Sequence, residues 1–341
     1  MDVSAVDVVI LTALPEEHDA VVRALGQGRD RIWRGYSLRE ADVGATNVIT
    51  LPIGGMGNAG SAHAATLAIG IWNPAAILLV GITGGISAST PGLQLGDVLV
   101  PEQIVGYEQG KQRESGLERR FQVQLPSWRL IQTARSLKPG HWAAQITKAR
   151  PDGTTGSVEP TVHFDPVMSG EKVVAAEDFT ADLRNSWPKA VGIEMEGVGA
   201  ALAAYRSGPE FLMIKAVSDY ADATKEDDWH LYAAEAAARF AVAVLQRCDF
   251  HGVRGRPQAQ PVTPRRPFSG PQKLEFVRTL HDSWEDLADV YDLSAYERGR
   301  LQGVKARALW EWLEVRGKLG TLPEMLDEID RGDIADRLRD S

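Results

Sequence analysis

Ala76-Ile77-Leu78-Leu79-Val80-Gly81-Ile82-Thr83-Gly84-Gly85 sits inside a long segment, from His63 to Asp97, that carries no charged residue between its ends. From Ala64 to Ile82 this segment is mostly apolar, which raises the question of a membrane span. A bilayer-spanning helix needs about 20 consecutive apolar residues, and Asn73-Pro74 splits the run into two shorter halves. The first half predicts a helix ending near Trp72. The second predicts a buried strand from Ala76 to Val80, with Gly81 to Gly85 as a glycine-rich turn. Parallel strands covered on both faces read as continuous apolar runs of this kind. No membrane span is expected.

The same alternation continues outward. Val8-Val9-Ile10-Leu11 reads as a strand, Thr12-Ala13-Leu14-Pro15 as a turn, and Glu16 to Leu25 as a helix. Proline and acids are both favoured at a helix start. Asn47 to Ile53 predicts another buried strand, broken by Gly54-Gly55-Met56-Gly57, and Ala59 to Trp72 predicts a helix. Further strands are expected at Asp97 to Pro101 and Phe211 to Val217, with helices at Glu196 to Arg206 and Trp229 to Arg247. Strands alternating with helices indicate an α/β domain with a largely parallel core. The span from Glu108 to Val167 is less periodic and reads as an insertion with a helix near Trp128 to Ser136.

The whole chain has 341 residues and a formal charge of −9. At roughly 100–200 residues per domain this length suggests two domains. The acidic balance gives no electrostatic footprint for nucleic acid or an anionic membrane. Cys248 is the single cysteine, so neither a disulfide framework nor a cysteine-based metal cluster is available. The opening Met1-Asp2-Val3-Ser4 lacks a basic stretch followed by an apolar block, so no signal peptide and a cytoplasmic location are expected. From His251 to Gly270 four arginines mix with four prolines and no acid, as in a partly stiffened linker. The expected division is therefore 1–250 for the α/β domain, 251–270 for the linker and 271–341 for a small all-α domain. Roughly five or six short helices fit the last. Ser294-x-x-Glu297 and Thr321-x-x-Glu324 both read as capping boxes.

Three acidic spots stand where a strand gives way to a helix: Glu17, Glu194-Met195-Glu196-Gly197, and Ser218-Asp219-Tyr220-Ala221-Asp222. Ligands of open α/β sheets bind in the crevice at the carboxyl ends of strands. Taken singly, each acid is also what capping and the helix dipole favour without any function. Their joint order is more specific. Glu17, the Gly81 to Gly85 stretch, Leu95-Gly96-Asp97-Val98-Leu99-Val100-Pro101, Ser169-Gly170, Glu-Met-Glu and Ser-Asp-x-Ala-Asp form one ordered set. This set resembles the nucleoside phosphorylase superfamily, and within it the methylthioadenosine/S-adenosylhomocysteine nucleosidase branch, over about Val6 to Leu245.

The resemblance implies a phosphorylase-type mixed sheet flanked by helices, followed here by the small all-α domain, and an N-glycosyl hydrolase with no cofactor and no metal ion. It makes Asp219 the general acid at the purine imidazole ring, which would turn the base into a neutral leaving group, and Ser218 a substrate contact. Glu196 would bind the ribose hydroxyls, with Met195 packed on the sugar. Glu17 would orient and deprotonate the attacking water. Thr83 and Gly84 would let the backbone approach sugar and water. Val173 and Val174 would form the base pocket, although the nucleosidases usually carry an aromatic at the first of these.

Phosphorylases of the superfamily hold phosphate with a glycine turn after the first strand and nearby arginines. Here that turn ends in Glu16-Glu17 with no arginine before Arg23, and like-charge repulsion would oppose an anion there. Water is the expected nucleophile. The stretch between Tyr107 and Asp165, absent from small nucleosidases, carries Lys111, Arg113, Arg119 and Arg120. Basic side chains near a sugar site suit a 5′-phosphate or triphosphate, which makes Lys111 a candidate contact; the alternative is a solvated basic loop. Lys172 and Lys215 are further candidates, though a lysine flanking a buried strand usually snorkels.

The C-terminal run Trp310-Glu311-Trp312-Leu313-Glu314-x-Arg316 to Leu322-Pro323, with Asp333-Ile334-Ala335-x-x-Leu338, resembles the effector-associated or death-like adaptor domains of bacterial conflict systems. That resemblance implies docking to a partner protein, and an anti-phage effector that releases adenine, with ATP ranked first. Methylthioadenosine or S-adenosylhomocysteine ranks second, and a metabolic purine nucleoside phosphorylase or an inactive nucleoside-binding sensor remains as an alternative. Superfamily members are usually oligomers, so a homo-oligomer is expected. Trp310 and Trp312 lie two apart and cannot share a helix face, so one is expected in the core and the other at a contact surface.

Overall fold

The structure, a computed structural model, describes residues 6–86, 91–114, 116–154, 158–174, 176–221, 227–250, 268–316 and 318–339. Most of the expected linker, 251–267, and Asp222 of the Ser-Asp-x-Ala-Asp motif lie outside the described residues. The chain divides into two compact units, Met1–Gln258 and Ala259–Ser341.

In the first unit, fourteen strands among the described residues are β1 (Val8–Thr12), β2 (Arg29–Trp33), β3 (Tyr36–Val43), β4 (Thr46–Pro52), β5 (Ala76–Gly85), β6 (Val98–Leu99), β7 (Ile104–Gly106), β8 (Gly110–Arg113), β9 (Gly116–Arg119), β10 (Gln122–Gln124), β11 (Val162–His163), β12 (Val167–Ser169), β13 (Gly192–Glu194) and β14 (Glu210–Asp219). Twelve of them make one mixed sheet in the order β10-β7-β12-β13-β5-β1-β4-β3-β2, with β14 paired to β5 and β6. Its helices are α1 (Pro15–Leu25), α2 (Asn58–Trp72), α3 (Trp128–Ser136), α4 (Pro139–Trp142), α5 (Glu177–Ser186), α6 (Gly197–Ser207) and α7 (His230–Arg247).

The central strands are buried on both faces because alternate side chains point to opposite sides. Val8 and Ile10 enter the core shared with α1, α3 and α7, while Val9 and Leu11 enter the one shared with α2 and α6. The latter two helices pack through alanines such as Ala64, Ala65, Ala68, Ala200 and Ala204.

The glycine-rich stretch Gly81 to Gly85 is not a turn. It continues β5, whose pairing changes along its length: Ala76 to Leu79 lie beside β1, whereas Gly84 and Gly85 pair antiparallel with β13. β14 follows β5 in parallel register throughout, until a bulge between Val217 and Asp219. Its glycines serve close approach instead of chain reversal. A Cβ on Gly81 would fall 2.1 Å from Glu17 Oε1, and one on Gly85 2.7 Å from Val217 Cγ1. The Glu108–Val167 region is also more integrated than an insertion. β10 extends the sheet beside β7, and Trp142 is buried edge-on against Phe240 of α7 at 5.1 Å.

The second unit holds α8 (Gly270–Thr279), α9 (Trp284–Val290), α10 (Ala295–Arg300), α11 (Lys305–Val315), α12 (Leu322–Glu328) and α13 (Gly332–Arg339). Six helices among the described residues match the expected number. Trp310 is its central core residue, with Phe276 at 5.0 Å and Phe268 at 5.8 Å. Trp312 is half-buried and carries the Arg316 guanidinium 4.1 Å above its ring. Ser294 caps α10 as expected, its hydroxyl accepting from Glu297 N–H at 3.3 Å. Thr321 does not cap α12; its hydroxyl donates to the Lys318 carbonyl at 3.0 Å and meets the Tyr291 hydroxyl. Ser269 and Gln272 form a further box at α8. Among the described residues no helix is long and apolar enough to cross a membrane.

Candidate active site

The carboxyl ends of β5, β13 and β14, with the starts of α1, α6 and α7, enclose a cavity of about 310 Å³. Glu17, Glu196 and Asp219 all line it, as do Met195, Thr83, Gly84, Val173, Val174 and Ser218. These nine expected residues therefore meet in one place. Lys111 does not. It lies exposed on β8, in a two-stranded hairpin, and is not among the lining residues.

Glu17 stands in the first turn of α1 and is 2% exposed. Its Oε2 accepts from the Ala13 and Leu14 N–H groups at 2.7 and 2.9 Å, and Oε1 from Ile82 N–H at 2.8 Å. The carboxylate is thus fixed between α1 and the middle of β5. Burial pushes its pKa up; Lys215 and the backbone donors oppose that shift without cancelling it. A carboxyl with a raised pKa is a stronger base and so is suited to accept a proton. Only glycine fits at 81, so Gly81→Ala should displace Glu17, cost about 1–3 kcal/mol of overpacking and abolish turnover. Normal turnover with wild-type stability in that variant would contradict this placement of Glu17.

The Glu-Met-Glu stretch splits its two acids by role. Glu194 turns inward, its carboxylate accepting from the Glu196 and Gly197 N–H groups at 2.9 Å each, which satisfies the start of α6. Glu196 accepts from Gly57 N–H at 3.2 Å and from Lys215 Nζ at 3.0 Å. Lys215 is buried, 3.8 Å from Glu194 as well. Burial disfavours its charge, but Glu196, Glu17 and Glu194 outweigh that and hold its pKa above the usual lysine value. Glu194 is itself raised, chiefly by burial. Lys215 does not snorkel; it is the internal counter-ion of the acidic cluster.

The β14 bulge re-aims the chain so that Asp219 faces the cavity beside Gly84, where a Cβ would lie 3.1 Å from Asp219 Oδ1. Ala221 N–H donates to Asp219 Oδ1 at 2.8 Å and the Ser218 hydroxyl to Oδ2 at 3.1 Å. Thr83 spends its hydroxyl on the Ile193 carbonyl at 2.9 Å, so it supports the cavity wall. Val174 is buried, whereas Val173 is 56% exposed.

One lining group, His230, has no clear sequence signal. His230, the first residue of α7, places Nδ1 3.3 Å from Glu16 Oε1 and Nε2 3.2 Å from Asp227 Oδ1. The second contact has ion-pair distance without hydrogen-bond alignment. Lys172 reaches the cavity but pairs with Glu108 at 2.5 Å. Among the described lining residues the basic side chains are Lys172 and His230, and there is no arginine. No group of three or more metal-binding side chains occurs among the described residues.

Residues 270–341 match the family described as Bacterial Death-like domain 3. The chain is 26% identical over 261 residues to the ATP nucleosidase Cap17 of Escherichia coli, a match covering 70% of this chain and 51% of that protein. The chain thus spans about half the length of that relative. It is 23% identical to a 5′-methylthioadenosine/S-adenosylhomocysteine nucleosidase of Exiguobacterium, covering 70% and 97%. In fold it is similar to the Neisseria meningitidis 5′-methylthioadenosine/S-adenosylhomocysteine nucleosidase, with a TM-score of 0.57 at 18% identity over 71% of this chain and 99% of that one. The sheet, the converging carboxylates and a match to the family described as Phosphorylase superfamily over residues 7–248 agree. The chain belongs to the phosphorylase superfamily.

Proposed function

We propose that the first unit hydrolyses the N-glycosidic bond of an adenine nucleoside or nucleotide, with ATP as the first-ranked substrate. The observation that carries this reading is the convergence of Glu17, Glu196 and Asp219, from three distant segments, on one cavity without a lining arginine among the described residues. Asp219 gives a proton to the imidazole ring of the base as the C1′–N9 bond breaks. Positive charge that develops on the ribose ring is stabilised by the nearby carboxylates. Glu196 accepts from the ribose hydroxyls, and Lys215 Nζ, 3.0 Å from it, holds that carboxylate in place. Glu17 takes a proton from the water whose oxygen bonds to C1′. Adenine and a free sugar leave.

Phosphate is a poor competitor for the water position, because Glu16 and Glu17 would repel it and no lining arginine would offset the repulsion. ATP ranks first because the Escherichia coli relative is an ATP nucleosidase. Lys172 and His230 are the basic side chains available to a charged 5′ group. Methylthioadenosine or S-adenosylhomocysteine ranks second, since both side chains already hold carboxylate partners and Leu14 and Met56 add apolar lining. The death-like match at residues 270–341 supports an anti-phage effector recruited to a partner protein through that unit.

Adenine release from ATP, AMP, adenosine and methylthioadenosine, followed by chromatography, tests the ranking. ATP is expected to give the largest kcat/KM. Preference for methylthioadenosine would move the protein to the second reading, and release from none would leave only the binding role.

A further inference from the structure

The cavity is walled by segments far apart in the chain, with Glu196 on one and the stretch 170–174 on another. The first turn of α2 joins them. Gly57 N–H donates to Glu196 Oε1 at 3.2 Å, and the next amide, Asn58 N–H, donates to Glu171 Oε2 at 3.3 Å. The Asn58 side chain adds three bonds. Its Nδ2 donates to the Gly170 carbonyl at 3.0 Å, and its Oδ1 accepts from Gly199 N–H at 2.8 Å and the Ser169 hydroxyl at 3.2 Å. The Ser61 hydroxyl closes the brace, within reach of the Glu196 carbonyl at 2.6 Å and the Asn58 carbonyl at 3.1 Å.

Two glycines make this brace sterically feasible. A Cβ on Gly199 would fall 2.0 Å from the Asn58 carbonyl oxygen, and one on Gly57 2.9 Å from Glu171 Oε2. Asparagine offers a donor and an acceptor on one short stem, and both are used. Asn58 itself is not among the cavity-lining residues; it acts through others. The wall is also tied by Gly170 N–H to the Glu194 carbonyl and by Glu171 N–H to Glu108 Oε1, each at 3.0 Å, while Val173 at its tip is exposed.

We propose that Asn58 is a positioning residue that couples the ribose half of the cavity to the base half. The inference rests on the nucleosidase reading above. A sugar hydroxyl on Glu196 holds that carboxylate against Gly57 N–H and so fixes the first turn of α2. Asn58 then holds the Gly170 carbonyl, and with it Val173 and Val174 against the base. Whichever half binds first orders the wall for the other, so the two ligands favour each other reciprocally.

The test is equilibrium binding of adenine by calorimetry, alone and with saturating ribose, on the full chain and two variants. Ribose should tighten adenine binding by about 5- to 150-fold in the wild type, the usual range for coupled sites. Asn58→Ala should bring that factor to within about twofold of unity while each ligand alone still binds. A residue that merely stabilised the fold would weaken both ligands and leave the factor intact. Glu171→Ala, an exposed change that removes one strut, should lower the factor part of the way. No coupling in the wild type, or unchanged coupling in folded Asn58→Ala, overturns the inference. Should Asn58→Ala fail to fold, unchanged coupling in Glu171→Ala overturns it. Absence of adenine binding to the wild type would overturn the nucleosidase reading and this inference with it, whereas binding without coupling overturns only the role of Asn58.

Discussion

Asp219→Asn should leave the fold intact and reduce adenine release by at least the roughly 10²–10⁴-fold expected for loss of a general acid. Asparagine keeps an oxygen to accept from Ala221 N–H, the bond that holds the side chain at the β14 bulge. It cannot give a proton to the departing base, which would then have to leave as an anion. The thermal midpoint should therefore match the wild type while kcat collapses. Adenine release at the wild-type rate would remove Asp219 from its assigned role.

Lys215→Met should be the most destabilising single change in the first unit. The ammonium is buried against Glu196 and Glu194. Methionine fills similar volume but leaves those acids without their cation, and breaking a buried ion pair from one side costs about 3–5 kcal/mol. The loss should depend on pH. Burial already holds Glu17 and Glu194 above their ordinary 4.5, and Lys215 is the leading influence against that rise. Without it both rise further. A carboxyl with a raised folded pKa contributes stability that is complete below its unfolded value and is lost as pH climbs through the folded one. The variant should thus recover toward wild type as the pH falls to about 5 and be weakest at neutral and alkaline pH. Urea titrations across that range check this, and an equal deficit at every pH would contradict the counter-ion role.

The alternation of strand and helix was legible because apolar runs such as Val8 to Leu11 and Ala76 to Val80 are buried on both faces, which leaves a continuous signal in the chain. The convergence of Glu17, Glu196 and Asp219 was legible in part for a related reason: each stands at or just after the end of a strand, although β13, which leads to Glu196, runs antiparallel to the end of β5. Gly81 to Gly85 misled because glycine marks both turns and close approach, and only the position of the Glu17 carboxylate against Gly81 distinguishes them. Lys215 reads in the sequence as a candidate that should snorkel, because its counter-ion role depends on three carboxylates distant in sequence. Glu194 and Glu196 differ by two residues and both line the cavity, yet the Glu194 carboxylate is taken up by the start of α6, a split decided by the turn between them. Lys111 is the opposite case: its charge is plain in the sequence, but on the exposed β8–β9 hairpin it is not among the cavity-lining residues. Thr321 has the spacing of a capping box, and tertiary contact with Tyr291 takes its hydroxyl instead.

The central claim is that water, activated at Glu17, displaces adenine. Product analysis by mass spectrometry after incubation with ATP in rigorously phosphate-free buffer tests it most directly. The account predicts adenine and ribose 5′-triphosphate at a rate that added phosphate leaves unchanged. Adenine release that requires phosphate and yields a sugar 1-phosphate would contradict it.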